Sequence, residues 1–383
     1  MSVTFPRGFR ASGVVAGLKA SGRPDVALVV NDGPDHHAAA VFTSNRVEAA
    51  PVTWSRQAVA DGRADAVVLN SGGANACTGA PGFQDTHRTA EHVGRALDIG
   101  AGDVVVCSTG LIGERLPMAR LLGGVDAAAA ALSAAGGPAA AEAIMTTDTV
   151  PKTARAERDG WSVGGMAKGA GMLAPALATM LVVVTTDAVA DPATLDVALR
   201  AATAVTFDRV DSDGCMSTND TVLLLASGAS GIAPKPAALA AAVTRVSEDL
   251  ARQLVADAEG ATKEIAIEVT GAASAVDAME VGRSIARSNL VKCAFYGNDP
   301  NWGRIVSAVG TTAAAFTPDA LDVAINGVTV CRGGTAGADR STVDLTGRQV
   351  TVTVDLHAGT ETATIWTNDL TPGYVHENSA YSS

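Results

Sequence analysis

Short apolar runs rich in valine, leucine and isoleucine recur along the 383-residue chain at 25–31, 64–70, 103–107, 180–186, 221–225, 264–269 and 321–330, and alanine-rich amphipathic stretches fill the intervals between them. Runs of this length and composition fit buried strands. Strands that alternate with helical patterns confine the chain to a mixed α/β fold in which helices cover sheets. Two helices are legible in detail. Asp191 and Pro192 supply a cap and a first-turn proline ahead of Leu195, Leu199 and Ala202 on one face. A longer helix starts near Pro236, carries Leu239, Val243, Val246, Leu250 and Leu254 at spacings of four and three, and is expected to stop at Gly260. Asp257 and Glu259 then stand at the negative end of that helix, where an acid costs roughly a few tenths of a kcal/mol unless a cation answers it. Solvated acids carry that cost easily, so neither residue alone points to function.

Composition limits what such a fold can bind. With 47% hydrophobic and 18% charged residues, the chain can bury a large core and is long enough for roughly two or three structural units. A net charge of -12 offers no footprint for nucleic acid or for an anionic membrane surface. The opening MSVTFPRGFRASG lacks the apolar core of a signal peptide, and no apolar run reaches the roughly 18 residues of a membrane span. Cys77, Cys107, Cys215, Cys293 and Cys331 form no C-x-x-C, so reduced thiols and a cytoplasmic location are expected. The alanine-rich stretch 127–143 and the loop 227–236 read as connectors, and the second gives an expected division into domains 1–232 and 233–383.

Loops carry the chemical signals. NSGGANACTG, at 70–79, follows a strand without the spacing G-x-G-x-x-G and reads as a tight structural loop. CSTGLIG, at 107–113, would present successive backbone N–H groups around Thr109 and Gly110 to an anion or a developing oxyanion. GGMAKGAG, at 165–172, has the composition of a phosphate loop, but Gly169 follows Lys168 where serine or threonine is required. YGNDPNWGR, at 296–304, carries turn and helix-start chemistry, with Trp302 read as core. His36, His37, His87, His92, His357 and His376 show no ligand spacing beyond the adjacent pair, so no metal is expected.

KGAGMLAPALATMLVVVTTDA, at 168–188, leaves one question, because it sets a hydroxyl at Thr179 between small residues and a stiff apolar run. The ordinary reading makes Thr179 the first residue of a buried strand. The functional reading starts from the lack of a histidine-based constellation. A nucleophile then needs another base, and a threonine gains one when chain cleavage exposes its own α-amine. Ala176, Ala178 and the upstream glycines permit the distorted turn in which the Thr179 hydroxyl could attack the Ala178 carbonyl.

Together with AIMTTDT (143–149), STNDTVLLLA (217–226) and the terminal YVHENSAYSS, these stretches span nearly the whole chain in order. The sequence resembles the ornithine acetyltransferase family, also called glutamate N-acetyltransferases. The resemblance implies a precursor cut between Ala178 and Thr179 into an α chain (1–178) and a β chain (179–383), assembled as an α2β2 heterotetramer. It implies a layered αββα-type sandwich domain with a second, smaller α/β domain, whose C-terminal tail returns to the active site. The implied reaction moves acetyl from N2-acetylornithine to glutamate by a ping-pong route in arginine synthesis, without metal or cofactor. Thr179 becomes the nucleophile, its freed α-amine the general base, and Thr109 with Gly110 the oxyanion-hole pair. Thr146, Lys168, Thr179, Glu259, Asn378 and Ser383 become the substrate contacts. Lys168 suits a substrate carboxylate and Glu259 the ornithine ammonium, and truncating the tail is expected to weaken binding. Thr147 stays as an alternative to Thr146, and acetyl-CoA as a second acetyl donor is left open. Gly73, where the family pattern suggests asparagine, and Cys215 depart from that pattern. The competing class is an N-terminal-threonine amidase or aminopeptidase, which shares the nucleophile but hands the acyl group to water. A binding protein that never cuts itself is the non-catalytic reading.

Overall fold

A computed structural model describes residues 2–173 and 180–380, so Ala178, Thr179 and Ser383 lie outside the described residues. The chain forms two compact units, one built from the residues up to Asp208 with Cys215–Asp257, the other from Arg209–Gly214 with the residues from Ala258 onward.

The first unit contains two sheets. In one, Phe9–Val14, Val26–Asn31, Ala66–Asn70 and Val104–Ser108 lie side by side in that order, antiparallel except for the last pair. In the other, the order is His37–Phe42, Thr221–Ala226, Leu181–Thr186, Trp161–Lys168, Lys152–Arg158, with only the pair Leu181–Thr186 and Thr221–Ala226 parallel. Ala27, Val29, Leu69 and Val105 of the first sheet pack against Met166, Leu181, Val183 and Leu223 of the second. The intervening residues Val26, Leu28, Val68 and Val106 face Val93, Leu121 and Val125 from the helices Gly79–Leu97 and Met118–Ala130. Helices Pro192–Val205 and Pro236–Ala256 pack on the second sheet. The layers therefore run helix, sheet, sheet, helix, as the resemblance implied. Both faces of the central strands are buried, which is why the sequence shows unbroken apolar runs instead of alternation.

Several expectations change in detail. Residues 321–330 form a hairpin, Asp322–Ile325 with Val328–Arg332, turning at Asn326 and Gly327 with φ of 47° and 81°. The supposed glycine-rich loop at 165–172 begins inside the strand Trp161–Lys168. A Cβ at Gly164 would meet the Ser2 carbonyl oxygen at 2.3 Å, and one at Gly165 would meet Leu250 Cδ1 at 3.0 Å. Those glycines admit a neighbouring backbone and a helix, so their role is packing. Residues 127–143 are largely helical, in Met118–Ala130 and Gly137–Ala143, and are not a connector. The division expected at 232/233 falls instead after Asp257, because Pro236–Ala256 packs on Pro192–Val205 and on the strands Lys152–Arg158 and Trp161–Lys168. That helix also ends at Ala256, short of Gly260.

The second unit has one sheet, ordered Thr335–Ala336, Val328–Arg332, Asp322–Ile325, Gln349–Asp355, Glu264–Ala272, Glu361–Asn368. Ala275–Ala286 packs on its last two strands, and Ile267, Val281, Ile285, Phe295, Val352 and Ile365 share the core, with Trp302 partly buried against it. Lys292 ties the excursion Arg209–Gly214 into this unit: its Nζ donates to the carbonyls of Ser212 and Asn368 at 2.6 Å each and to Thr367 Oγ1 at 3.1 Å. Burial brings the Lys292 ammonium down to about 8, against the pull of Asp213, Asp211 and Asp369. Among the described residues, no helix is long and apolar enough to cross a membrane.

Candidate active site

The strand Val104–Ser108 delivers Thr109 and Gly110 to its own end. There the ladder continues for one step, since Thr109 N–H donates to the Asn70 carbonyl at 3.0 Å and Gly73 N–H donates to the Thr109 carbonyl at 3.0 Å. Asn70 Nδ2 donates to the Gly73 carbonyl at 3.1 Å, and Asn219 Nδ2 donates to the carbonyls of Ala74 and Ser108 at 2.6 and 2.9 Å. Three loops are thereby held as one clasp. Gly110 adopts φ 131°, and a Cβ there would lie 2.7 Å from Gly73 N, so the position requires glycine.

This geometry corrects one detail of the expected oxyanion donors. The Thr109 N–H is already committed to Asn70, so the available donors are the Thr109 hydroxyl and the Gly110 N–H, which meets no acceptor among the described residues. Lys168, the last residue of its strand and 1% exposed, donates from Nζ to Thr109 Oγ1 at 3.2 Å. That contact occupies a lone pair and leaves the hydroxyl proton for a developing negative charge.

A buried charge network supports the lysine. Asp148 accepts from Lys152 Nζ at 2.7 Å, from Gly169 N–H at 2.7 Å and from Thr146 N–H at 2.9 Å. Burial alone would raise the Asp148 carboxyl, but the charges of Lys168 and Lys152 and the Gly169 N–H outweigh it and hold it at about 2. Lys152, fully buried, also reaches Asp257 Oδ2 at 2.6 Å, and Asp257 takes the Thr149 N–H and hydroxyl as well. The acid that looked misplaced at a helix end thus answers a buried ammonium. Lys19 Nζ donates to the Met145 and Pro24 carbonyls at 2.6 and 2.8 Å, and burial lowers it to about 8. The chain leaves this cluster at Lys168 and re-enters the sheet at Leu181, directly opposite it in the antiparallel pair.

In the second unit, Asn378 Nδ2 donates to Glu259 Oε2 at 2.9 Å and to the Tyr374 carbonyl at 3.0 Å. A cavity of about 320 Å³ opens beside Glu259, lined also by Asp213, Arg287, Lys292 and Tyr374. The structure therefore gathers Thr109, Gly110, Thr146 and Lys168 in one unit and pairs Glu259 with Asn378 in the other.

A profile of the ArgJ family matches residues 10–383. The chain belongs to the ArgJ family. It is 67% identical over 383 residues to the arginine biosynthesis bifunctional protein ArgJ of Thermobifida fusca, with 100% of each chain covered. It is 66% identical over the same length, again with 100% of each covered, to the protein of that name from Streptomyces coelicolor. An ornithine acetyltransferase from Mycobacterium tuberculosis, solved in complex with ornithine, is 57% identical, covering 47% of this chain and 96% of that one with a TM-score of 0.45. The resemblance read from the motifs thus holds across the chain, and as an ArgJ-family member the protein is an acyltransferase.

In this ArgJ-family chain the supporting network was the part that sequence reading missed. Asp148 lies inside the motif AIMTTDT, yet nothing local says that it meets Lys152 and Lys168. Residues 160–164, GWSVG, have the spacing of a serine-hydrolase elbow, but Ser162 is buried within a hairpin strand and donates to Asp187 Oδ2 at 3.1 Å. Of the two departures from the family pattern, Gly73 belongs to the clasp and Cys215 is exposed. Among the described residues, no three metal-ligating side chains converge.

Proposed function

We propose that the protein transfers the acetyl group of N2-acetylornithine to glutamate through an acetyl-Thr179 intermediate, after cutting itself between Ala178 and Thr179. The observation that carries this reading is the buried Lys168 ammonium 3.2 Å from Thr109 Oγ1, beside Gly110 and at the point where the chain returns to the sheet just past Thr179. In the first half-reaction, Thr179 Oγ attacks the acetyl carbonyl while the freed α-amine takes its proton. The Thr109 hydroxyl and Gly110 N–H receive the oxyanion, each donor lowering the barrier by about 3 kcal/mol. Ornithine departs with the proton, and the amine of glutamate then attacks the acetyl ester. Lys168 holds a substrate carboxylate, with Thr146 nearby, while Glu259, held by Asn378, takes the ornithine ammonium and Ser383 adds a tail contact. The word bifunctional in the names of its relatives supports acetyl-CoA as a second acetyl donor for making N-acetylglutamate. The α and β chains stay together as an α2β2 enzyme of cytoplasmic arginine biosynthesis.

An intact-mass spectrum under denaturing conditions, taken beside Thr179→Ala, tests the first step. Fragments 1–178 and 179–383, absent in the variant, are expected. Acetyl release from N2-acetylornithine is then measured with and without glutamate. Release that is equally fast without glutamate would replace the transferase reading by the amidase one.

A further inference from the structure

The cavity of about 320 Å³ beside Glu259 lies wholly within the second unit, and its wall carries charges of both signs: Asp213, Glu259 and Asp369 against Arg287 and Lys292. Two of these are spent on the fold. Asp369 accepts the N–H groups of Thr262 and Lys263 at 2.9 and 2.8 Å and the Thr262 hydroxyl. Lys292 gives its ammonium donors to Ser212, Thr367 and Asn368, and Asp213, Asp211 and Asp369 already offset its charge. Glu259 and Arg287 are different. Glu259 holds Asn378 through Oε2, and its Oε1 meets no donor among the described residues. Arg287 donates from Nε to Asp211 Oδ2 at 2.8 Å, and both of its Nη groups meet no acceptor among the described residues. Asp211 is fully buried and the Arg287 side chain is 49% exposed, so the carboxylate anchors the guanidinium from the inside. A Cβ on Gly214, another residue of the wall, would lie 3.8 Å from Arg287 Cγ and Nε, so the arginine runs along the cavity. A guanidinium gripped at Nε still presents its two Nη groups as a fork to a second carboxylate.

The proposed reaction gives that fork a task. Donor and acceptor visit one nucleophile in turn, so one pocket must receive both side chains. Each substrate has an α-carboxylate, but ornithine ends in an ammonium and glutamate in a carboxylate. A wall with Glu259 alone would attract the first and repel the second. We propose that Arg287 binds the side-chain carboxylate of glutamate, in the same cavity where Glu259 takes the ornithine ammonium, an inference that rests on the transfer reading above. With ornithine bound, Arg287 keeps Asp211 and water as its partners. With glutamate bound, Glu259 keeps Asn378. Each substrate thus finds an opposite charge on the wall, and neither strands a buried charge when it leaves.

Steady-state transfer from N2-acetylornithine to glutamate, or to glutamine as its uncharged counterpart, tests the assignment. In the wild type the glutamine KM is expected to exceed the glutamate KM about 10-fold, the scale of one charge-assisted contact half open to water. Arg287→Gln is expected to raise the glutamate KM to the level of glutamine, while N2-acetylornithine keeps its KM in acetyl exchange with labelled ornithine. Arg287→Lys, which keeps the charge without the fork, is expected to raise the glutamate KM less. It also decides the matter if the glutamine variant does not fold, because Asp211 retains a cation. A glutamate KM unchanged in both variants, or a KM that rises equally for both substrates, would overturn the proposal. So would a wild type that accepts glutamine as readily as glutamate. A wild type that makes no N-acetylglutamate overturns the transfer reading itself, a result distinct from a transferase indifferent to the charge of its acceptor.

Discussion

Gly110 and Asp148 show how single residues constrain this site. Gly110 sits at φ 131° with no room for a Cβ beside Gly73 N. Gly110→Ala must push apart the two loops that carry the proposed donors, so kcat is expected to fall about 100- to 1,000-fold, the loss typical of one oxyanion donor. Steady-state kinetics check this, with circular dichroism confirming an intact fold. Asp148 is held at about 2 in the folded chain, below the ordinary 3.8. As pH falls, the unfolded chain therefore takes up this proton first. The stability from Asp148 is fully present above about pH 4 and drains away between about pH 4 and 2, amounting to about 2 kcal/mol. Urea midpoints measured across that range should lose this limb in Asp148→Asn, which at neutral pH is expected to cost about 3–5 kcal/mol because Lys152 and Lys168 lose a buried partner. Thr109, Gly110 and Lys168 were singled out by their motifs, and the structure sets the Lys168 ammonium against the Thr109 hydroxyl at the end of their strands. Asp148 and Lys152 were not singled out, since a buried ion pair leaves no local mark on composition.

At the scale of the element, capping and periodicity were reliable where they were local. Asp191 accepts the Thr194 N–H at 2.7 Å and starts Pro192–Val205 where the sequence placed it. Asp191→Ala is expected to cost about 1 kcal/mol in chemical denaturation without altering activity, because this cap touches no part of the candidate site. The five apolar positions of Pro236–Ala256 are buried as their spacing predicted. Its end was misplaced because Gly260 does adopt a left-handed φ of 62°, but in the turn beyond the helix. Strand Trp161–Lys168 was lost to its glycines: sequence alone gives no sign that Gly164 lies under the Ser2 carbonyl or Gly165 under Leu250.

At the scale of the whole molecule, the strands on either side of residues 174–179 are hydrogen-bonded neighbours, paired from Val163 with Thr186 to Lys168 with Leu181. Leu181–Thr186 pairs with Thr221–Ala226 on its other edge, and both strands bury side chains in the shared sandwich core. A cut at 178/179 therefore leaves the two chains joined by a full ladder and a common interior. Native mass spectrometry is expected to find them together, and denaturing spectra to find them apart; separation under native conditions would contradict the proposed assembly. The sequence by itself determined the α/β class, the capped helices, the buried strands and the motifs that mark the family, because each depends on neighbours within a few residues. Only the tertiary structure decided the strand order within each sheet, the extension of the first unit to Asp257, and the meeting of Lys152 with Asp148 and Asp257. Periodicity reports that a face is buried but not what covers it, and which charges meet across a core is fixed by sheet register and packing between segments far apart in the chain.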